Sequence, residues 1–302
     1  MSEHQPPRRD MTVVLDGLSF LECPRWRAGR LWVSDFYTNR VLAADGRGHT
    51  EVMAEVPGQP SGLGFLPDGR ALIVSMRDRR ILVRDAAGHL SEHADLSGEV
   101  PSLLNDMVVD ERGRAYVGNF GFDLMGGEAL RPTTITRVDP DGTVRPVADE
   151  LSFPNGMVIL PGGVLIVAET FAARLTAYDI REDGGLANRR VWARFGDSPR
   201  TTDIATLLSR LQAGPDGLCA DAEDAVWVAD ALHARLVRVR EGGEIADEIP
   251  TPTDVFACML GGPDGRTLFA CAAPSFAEHE RRAAREAQLL AFRVDVPHAG
   301  LP

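Results

Sequence analysis

Long apolar runs are absent from this sequence. No stretch approaches the roughly 20 apolar residues that a membrane-spanning helix requires, so we expect no association with a membrane. The first ten residues are polar and include Pro6, Pro7, Arg8 and Arg9, and no apolar segment follows them. Because a secretory signal contains such a segment, we expect a cytoplasmic location, with residues 1–10 flexible.

Cysteine is also scarce. The 302 residues include four cysteines, which are far apart and form no C-x-x-C pair, so a thiolate metal site or a dithiol redox motif is disfavoured. Most of them lie in apolar stretches, and we therefore expect buried, reduced thiols. The four residues are Cys23, Cys219, Cys258 and Cys271.

Positive charge is in deficit. The chain has 32 basic and 44 acidic residues, which gives a formal net charge of −12. This balance repels the phosphates of nucleic acids and anionic lipids. The arginine-rich stretch 281–285 is bordered by glutamates, as on a solvated helix face. We therefore expect a small-molecule substrate and no nucleic acid partner, while the oligomeric state stays open.

Several motifs of enzymatic chemistry are missing. No serine lies in a G-x-S-x-G sequence, and the pair His279-Glu280 is not followed by the second histidine of an H-E-x-x-H motif. The chain has no phosphate-binding glycine loop, and its seven histidines show no metal-ligand spacing. These absences disfavour serine hydrolases, zinc peptidases of that type and nucleotide-binding enzymes.

The sequence does contain one pattern that recurs six times. Each copy has a short apolar strand, a turn rich in Asp and Gly, and a second apolar strand that ends in a small or acidic residue. Four clear copies and two weaker copies, which begin at Glu22 and Ala257, recur at intervals of roughly 40 to 60 residues, typical of four-stranded propeller blades. The clear copies are 61–75, 105–119, 155–169 and 216–230. The fold class we predict is all-β, a six-bladed β-propeller.

The closure of the ring can be predicted as well. Residues 14–23 match residues 147–156 position by position, and the latter lead from an outer strand into the next blade. We therefore expect the N-terminal strand to close the last blade, whose other strands come from the C-terminal part, including residues 289–296. This arrangement removes the free edge of an open ring and predicts a single domain over residues 1–302.

Two connections are longer than a blade requires, namely 121–132 and 196–214. Connections of this length often cover a functional site. Within the second of them, residues 204–211 have the pattern of a short amphipathic helix. Residues 277–290 also have a helical pattern and are predicted to form an excursion between outer strands.

The residues that begin the six repeats form the candidate site. In chain order they are Glu22, Ser61, Asn105, Asn155, Asp216 and Ala257. Four of them are oxygen donors, without thiol or imidazole, which favours one hard divalent cation, Ca²⁺ first, with Mg²⁺, Mn²⁺, Fe²⁺ or Zn²⁺ as alternatives. Asn-Gly and Asp-Gly are also ordinary turn signals. Their recurrence at one repeat position nevertheless favours a metal site at the mouth of the channel.

Four segments resemble a known family, the SMP-30/gluconolactonase/LRE group of six-bladed propellers, which includes the diisopropylfluorophosphatase-like enzymes. They are Glu22-Cys-Pro-Arg-Trp26, Leu104-Asn-Asp106, Phe153-Pro-Asn-Gly156 and Gly214-Pro-Asp-Gly217, in that order. The resemblance implies a hydrolase of a lactone or related ester. It also implies that the metal ligands are Glu22, Asn105, Asn155 and Asp216.

The surroundings of these residues depart from the animal gluconolactonases of that group. Those enzymes look to have an arginine two residues before the first ligand Asn, where this chain has Leu103. Their acidic residue after the second strand corresponds to Asp123. The apolar character of Leu103 and its neighbours favours a less hydrophilic substrate. The substrate-binding candidates are Leu103, Asn119, Phe120, Asp123 and His233.

In this interpretation the cation polarises the substrate carbonyl and lowers the pKa of a bound water. Asp216 and Asn105 are the catalytic candidates: Asp216 accepts or orients the proton of the water, and Asn105 contacts both ion and substrate. Three alternatives stay open. They are phosphotriester hydrolysis with direct attack by Asp216, a non-hydrolytic lyase, cyclase or isomerase that uses the ion as a Lewis acid, and a binding or scaffold propeller.

Overall fold

The computed structural model describes residues 9–46 and 48–302, so the segment 1–10, predicted to be flexible, lies almost entirely outside the described residues. The described chain forms six antiparallel sheets of four strands each. The predicted six-bladed, all-β propeller is confirmed.

The first strand, β1 (Met11–Leu18), belongs to the last blade. Blade 1 contains β2 (Leu21–Arg27), β3 (Arg30–Asp35), β4 (Arg40–Ala44) and β5 (Thr50–Glu55). Blade 2 contains β6 (Pro60–Phe65), β7 (Ala71–Ser75), β8 (Arg80–Arg84) and β9 (Leu90–Asp95). Blade 3 contains β10 (Leu104–Val109), β11 (Ala115–Asn119), β12 (Thr133–Val138) and β13 (Val144–Leu151).

The second half of the chain repeats the same order. Blade 4 contains β14 (Pro154–Leu160), β15 (Val164–Glu169), β16 (Arg174–Ile180) and β17 (Leu186–Arg194). Blade 5 contains β18 (Pro215–Ala220), β19 (Val226–Asp230), β20 (Arg235–Val239) and β21 (Ile245–Pro250). Blade 6 contains β22 (Val255–Gly261), β23 (Thr267–Ala272) and β24 (Ala287–Arg293), together with β1.

The inner strands β2, β6, β10, β14, β18 and β22 form the wall of the central channel. Each contacts the inner strand of the next blade, and β22 contacts β2, so the ring is closed. The inner strands β10, β14 and β18 are buried along their whole length, whereas the outer strands β5 and β9 expose at least half of their residues. The four cysteines are buried and free, as predicted.

Strand β1 closes the last blade. It pairs antiparallel with β24, in a register that runs from Met11 opposite Phe292 to Leu18 opposite Ala287. Without β1, the backbone groups on one side of β24 would lack partners, since β23 occupies only the other side. The predicted exchange of strands between the two ends of the chain is therefore confirmed.

The C-terminal tail forms a second closure that the sequence did not reveal. It leaves blade 6 and crosses the ends of the inner strands opposite to the candidate donors. Its backbone bonds run from Ala222 N to Pro297 O (2.8 Å), from Ala299 N to Ala220 O (3.2 Å), and in both directions between Ile159 and Leu301 (2.7 and 2.9 Å). The tail thus joins blade 6 to blades 5 and 4.

The helices are shorter than predicted. Helix α1 (Ile204–Leu208) begins after Asp203, whose side chain accepts a hydrogen bond from Thr206 N at 2.8 Å. Helix α2 is limited to Glu278–Arg281. The predicted helix 277–290 is wrong in its last part, because residues from Ala287 onward pair with both β23 and β1. In the described parts of the chain, no helix has the length and apolar character to cross a membrane.

Candidate active site

One β-bulge recurs in every blade and positions the site. The first residue of each inner strand pairs with the last residue of the second strand, as Leu104 pairs with Asn119 and Pro154 with Glu169. Soon after this pair, each inner strand carries one extra residue relative to its partner. Bulges redirect side chains at the ends of sheets. The second residue of each inner strand is therefore equivalent in all six blades.

The six equivalent residues are Glu22, Ser61, Asn105, Asn155, Asp216 and Phe256. The prediction of Ala257 for the sixth position is wrong by one residue, since β22 begins at Val255, which pairs with Ala272. Its apolar sequence carries no polar marker that would have fixed the register. The four predicted oxygen donors occupy equivalent positions and line one cavity.

The glycines that follow two of these donors are not turn residues. A Cβ on Gly156 would lie 2.5 Å from Asp216 O, and one on Gly217 would lie 2.5 Å from Ala257 Cα. Neither glycine has a positive φ. Both therefore allow neighbouring inner strands to approach closely, and the turn interpretation of Asn155-Gly156 and Asp216-Gly217 does not apply.

Hydrogen bonds fix the two amide side chains. Asn155 Nδ2 donates to Thr170 Oγ1 (3.3 Å), and Thr170 Oγ1 donates to Pro215 O of the next blade (2.8 Å). Asn105 Nδ2 donates to Pro154 O and to Asn155 Oδ1, both at 3.2 Å. Both amide nitrogens thus bind protein acceptors. The amide oxygens, with two lone pairs each, keep acceptor capacity for a cation or substrate.

The two carboxylates of the set lie in an unfavourable electrostatic environment. Glu22 is 8% and Asp216 is 6% exposed. Burial first, then the charges of Asp216 and Asp106, raise the pKa of Glu22 well above its ordinary value. Burial and the charge of Asp106 do the same to the pKa of Asp216, whose Oδ1 is buried without a hydrogen-bond partner. An unpaired buried oxygen of this kind is costly.

Asp106, by contrast, has a cationic partner. Its Oδ1 accepts from Arg25 Nη2 at 2.7 Å, and both side chains are almost fully buried. Arg25 also donates to Leu63 O and to Met107 O, which places the guanidinium between inner strands. Burial raises the pKa of Asp106, and the charge of Arg25 opposes this shift. Within the described residues, neither Glu22 nor Asp216 has an ion-pair partner.

This donor set fits a hard divalent cation. It offers two carboxylates and two amide oxygens, which are the ligand types that Ca²⁺ prefers, and Oδ1 of the Asp216 carboxylate is buried without a partner. No group of three or more His, Cys, Asp or Glu side chains with a metal-binding arrangement occurs in the part of the chain that the structure describes. A cation here would consequently depend on the amides of Asn105 and Asn155.

The donors lie at the base of a cavity with mainly apolar walls. Leu103 and Phe120 line it, as predicted. The two long connections contribute Leu124, Met125 and Leu208, which agrees with the prediction that they cover a site. The sequence did not identify the other apolar wall residues, Phe20, Phe36, Met76, Phe153, Phe171, Leu232, Phe256 and Phe276.

Three predicted substrate-binding residues are not part of these walls. Asn119 is fully buried, and its amide bonds to Thr134 O, Gly121 N and Thr133 Oγ1 within its own blade. Asp123 is exposed and accepts from Gly126 N (2.8 Å). His233 is exposed and contacts Asp230 at 3.2 Å. The structure therefore does not bring these three side chains to the cavity, since none of them lines it.

Polar residues at the mouth were also missed. Glu278 accepts two bonds of 2.8 Å from Arg77, and Tyr37 donates to Phe276 O at 2.8 Å. These contacts attach the segment around α2 to blades 1 and 2. No local signal reveals them, since residues about 200 positions apart meet only when the ring closes.

Comparisons with known proteins agree with this architecture. Residues 20–273 match the SMP-30/Gluconolactonase/LRE-like region. The 6-deoxy-6-sulfogluconolactonase of Pseudomonas putida is 28% identical over 93% of both chains. Pentonolactonase XacC of Haloferax volcanii is 29% identical over 84% of this chain and 79% of its own. Among solved structures, the calcium-binding protein regucalcin of Agrobacterium tumefaciens has a TM-score of 0.78 and 21% identity, covering 98% of this chain and 97% of its own. Because the family region spans most of the sequence, the chain belongs to the SMP-30/gluconolactonase/LRE-like family.

Proposed function

We propose that this protein is a divalent-metal-dependent hydrolase of lactones or related esters, with its active site at the mouth of the propeller channel. The observation that carries the proposal is the set of four oxygen donors at one repeat position, which includes two nearly buried carboxylates without a protein cation. The reaction class is supported by two relatives named as lactonases, which align with most of this chain.

In this proposal Glu22, Asn105, Asn155 and Asp216 hold one cation, and Ca²⁺ is the ion that we expect first. When bound, the cation would polarise the substrate carbonyl and lower the pKa of a water. Asp216 has an oxygen without a protein donor, and this oxygen can accept the proton of the attacking water. The bonds that fix Asn105 leave its amide oxygen available to the ion and the substrate.

The apolar walls contribute to the same chemistry. They separate the donors from bulk water, so that interactions between charges at the base of the cavity are weakly screened. Thr170 keeps the Asn155 amide in place through its contact with the neighbouring blade. Such preorganisation stabilises the negative charge that develops on the carbonyl oxygen as water attacks.

The test is hydrolysis of a panel of lactones, aryl esters and phosphotriesters by the full chain, after chelation and after addition of Ca²⁺, Mg²⁺, Mn²⁺, Fe²⁺ or Zn²⁺. We expect lactone hydrolysis that chelation abolishes and one or more of these ions restore. Replacement of Asp216 by Asn should lower kcat by ~10²- to 10⁴-fold, the usual contribution of a general base. Asp141→Asn, a matched change in an exposed turn, should leave kcat unchanged.

Three results would contradict the proposal. They are full activity of the chelated protein, full activity of Asp216→Asn, and turnover of phosphotriesters without turnover of any lactone. Circular dichroism of each variant shows whether a loss of activity comes from the site or from unfolding.

A further inference from the structure

Two further repeat positions contribute to the walls above the donors, and nine of their twelve residues line the cavity. The residues two positions before each donor position are Phe20, Gln59, Leu103, Phe153, Gly214 and Asp254. The residues directly after each second strand are Phe36, Met76, Phe120, Thr170, Ala231 and Ala273. Most of these side chains are apolar, so the polarity of the cavity changes abruptly from its base to its walls.

Aromatic rings form two opposing parts of these walls. In blades 3 and 4, the centroid of Phe153 lies 4.7 Å from that of Phe120 and 4.6 Å from that of Phe171. In blades 6 and 1, the centroid of Phe20 lies 4.8 Å from that of Phe256 and 5.4 Å from that of Phe36. We call these the blade 3/4 wall and the blade 6/1 wall. A ligand on the donors would lie between them.

The polar residues that line the walls have protein partners, whereas Asp254 does not line the cavity. Gln59 accepts from Arg77, and Arg77 donates two bonds to Glu278. Tyr37 donates to Phe276 O, and Thr170 bonds to Asn155 and to Pro215 O. Hydroxyl groups on a bound sugar ring would therefore find few free partners, and a buried hydroxyl without a partner is unfavourable.

Building on the lactonase function proposed above, we propose that the preferred substrate is a lactone whose ring carries an alkyl or aryl substituent, and that polyhydroxylated sugar lactones are poor substrates. The ester group faces the four donors. The substituent lies between the blade 3/4 wall and the blade 6/1 wall, where it displaces water from apolar surface.

Kinetics on a graded series test this inference. The substrates are γ-lactones with hydrogen, ethyl, butyl or hexyl at the ring carbon next to oxygen, compared with glucono-δ-lactone, all with the restoring cation. We expect kcat/KM to rise about fourfold per added methylene until the cavity is filled. The hexyl compound should exceed glucono-δ-lactone by ~100-fold or more, because the sugar leaves hydroxyls without partners.

Matched variants test whether the cavity walls cause the dependence of kcat/KM on chain length. Leu103 and Leu208 line the cavity without being fully buried, so that Leu103→Gln and Leu208→Gln should fold and should reduce the slope of kcat/KM against chain length. Ile245→Gln makes the same kind of change on an exposed outer strand, where Ile245 is 44% exposed. It should leave the slope unchanged.

Ligand binding without turnover separates the two proposals. Alkyl-substituted cyclopentanones resemble the lactones but cannot be hydrolysed, and calorimetry on the chelated protein should give a Kd that falls with chain length. If this trend appears and no lactone is hydrolysed, the proposed function fails and the apolar ligand class stands. The present inference is overturned if kcat/KM for glucono-δ-lactone equals or exceeds that for the hexyl lactone, or if Kd is independent of chain length. In either case the lactonase function stands.

Discussion

Thr170 lies outside the donor set and positions one of its members, Asn155. Its hydroxyl accepts from Asn155 Nδ2 and donates to Pro215 O, and thereby connects a donor of blade 4 to the backbone of blade 5. Partners of metal ligands usually affect affinity nearly as strongly as the ligands themselves. The orientation of Asn155 therefore depends on both blade 4 and blade 5.

The change Thr170→Val removes both hydrogen bonds and keeps the shape of the side chain. We expect the affinity for the restoring cation to fall by ~10- to 100-fold, because Asn155 is no longer held in one orientation. Calorimetric titration with Ca²⁺ measures this directly. Thr170→Ser keeps the hydroxyl and should bind within about threefold of the original protein, on the same principle. Equal affinities for the Val and Ser variants would contradict the positioning role.

The sequence predicted the four donors because they recur at one repeat position and because their residue types stand out. It failed at Phe256, because the residue at that position is apolar and no polar side chain marks the register of β22. It also missed Thr170 and Arg25, because their hydrogen bonds cross from one blade to another. Contacts of that kind leave no local pattern in the sequence.

At the scale of elements, His298 in the C-terminal tail should make stability depend on pH. His298 lies in this tail beside blade 5, and its Nε2 is buried without a partner among the described residues. Burial lowers the pKa of His298 below its ordinary value of about 6.5. The unfolded chain therefore binds the proton more tightly than the folded protein. Neutral His298 contributes stability at pH values above its pKa in the unfolded chain. This contribution is lost as the pH falls towards its pKa in the folded protein.

The raised pKa values of Glu22 and Asp216 act in the opposite direction, so the contribution of His298 is read from a comparison of variants. We expect the melting temperature of the original protein to decrease relative to that of His298→Gln, which cannot be protonated, as the pH is lowered from about 7 to 5. Thermal unfolding followed by circular dichroism across this range provides the measurement. The matched control is His279→Gln, since the side chain of His279 is 84% exposed at the surface. Identical slopes for the original protein and His298→Gln would contradict the assignment.

Most elements could be predicted, since apolar strands alternate with Asp-Gly turns along almost the whole chain. The error in 277–290 has a physical cause. Ala, Arg and Glu favour a helix there, but pairing of β24 on both sides outweighs this local preference from Ala287 onward. The tail was missed because 297–302 lacks a strand pattern and makes only isolated bridges.

For the whole molecule, the pairing of β1 with β24 should be a major contribution to stability. In a variant that begins at Ser19, β24 becomes an edge strand, and Leu15 is removed from the core cluster in which it is buried. Burial of one such side chain contributes about 1.5–3 kcal/mol, so we expect a fall in melting temperature of several degrees, with aggregation at the new edge.

Calorimetry and light scattering of this variant provide the measurement. A synthetic peptide of residues 9–18, added in excess, should pair with β24 and recover part of the lost stability, whereas a scrambled peptide of the same composition should not. An unchanged melting temperature in the shortened chain would show that β1 contributes little to the ring.

The exchange of strands between the two ends of the chain also has a consequence for protein synthesis. Strand β1 is synthesised before all the other described strands, and its partner β24 after them. We therefore expect β1 to stay unpaired and the ring to stay open until β24 has been synthesised, so that these contacts between distant segments form late. Products of premature termination lack β24 and cannot close. They would expose strand edges that chaperones and proteases recognise, whereas chains that contain β24 can close the ring and cover these edges.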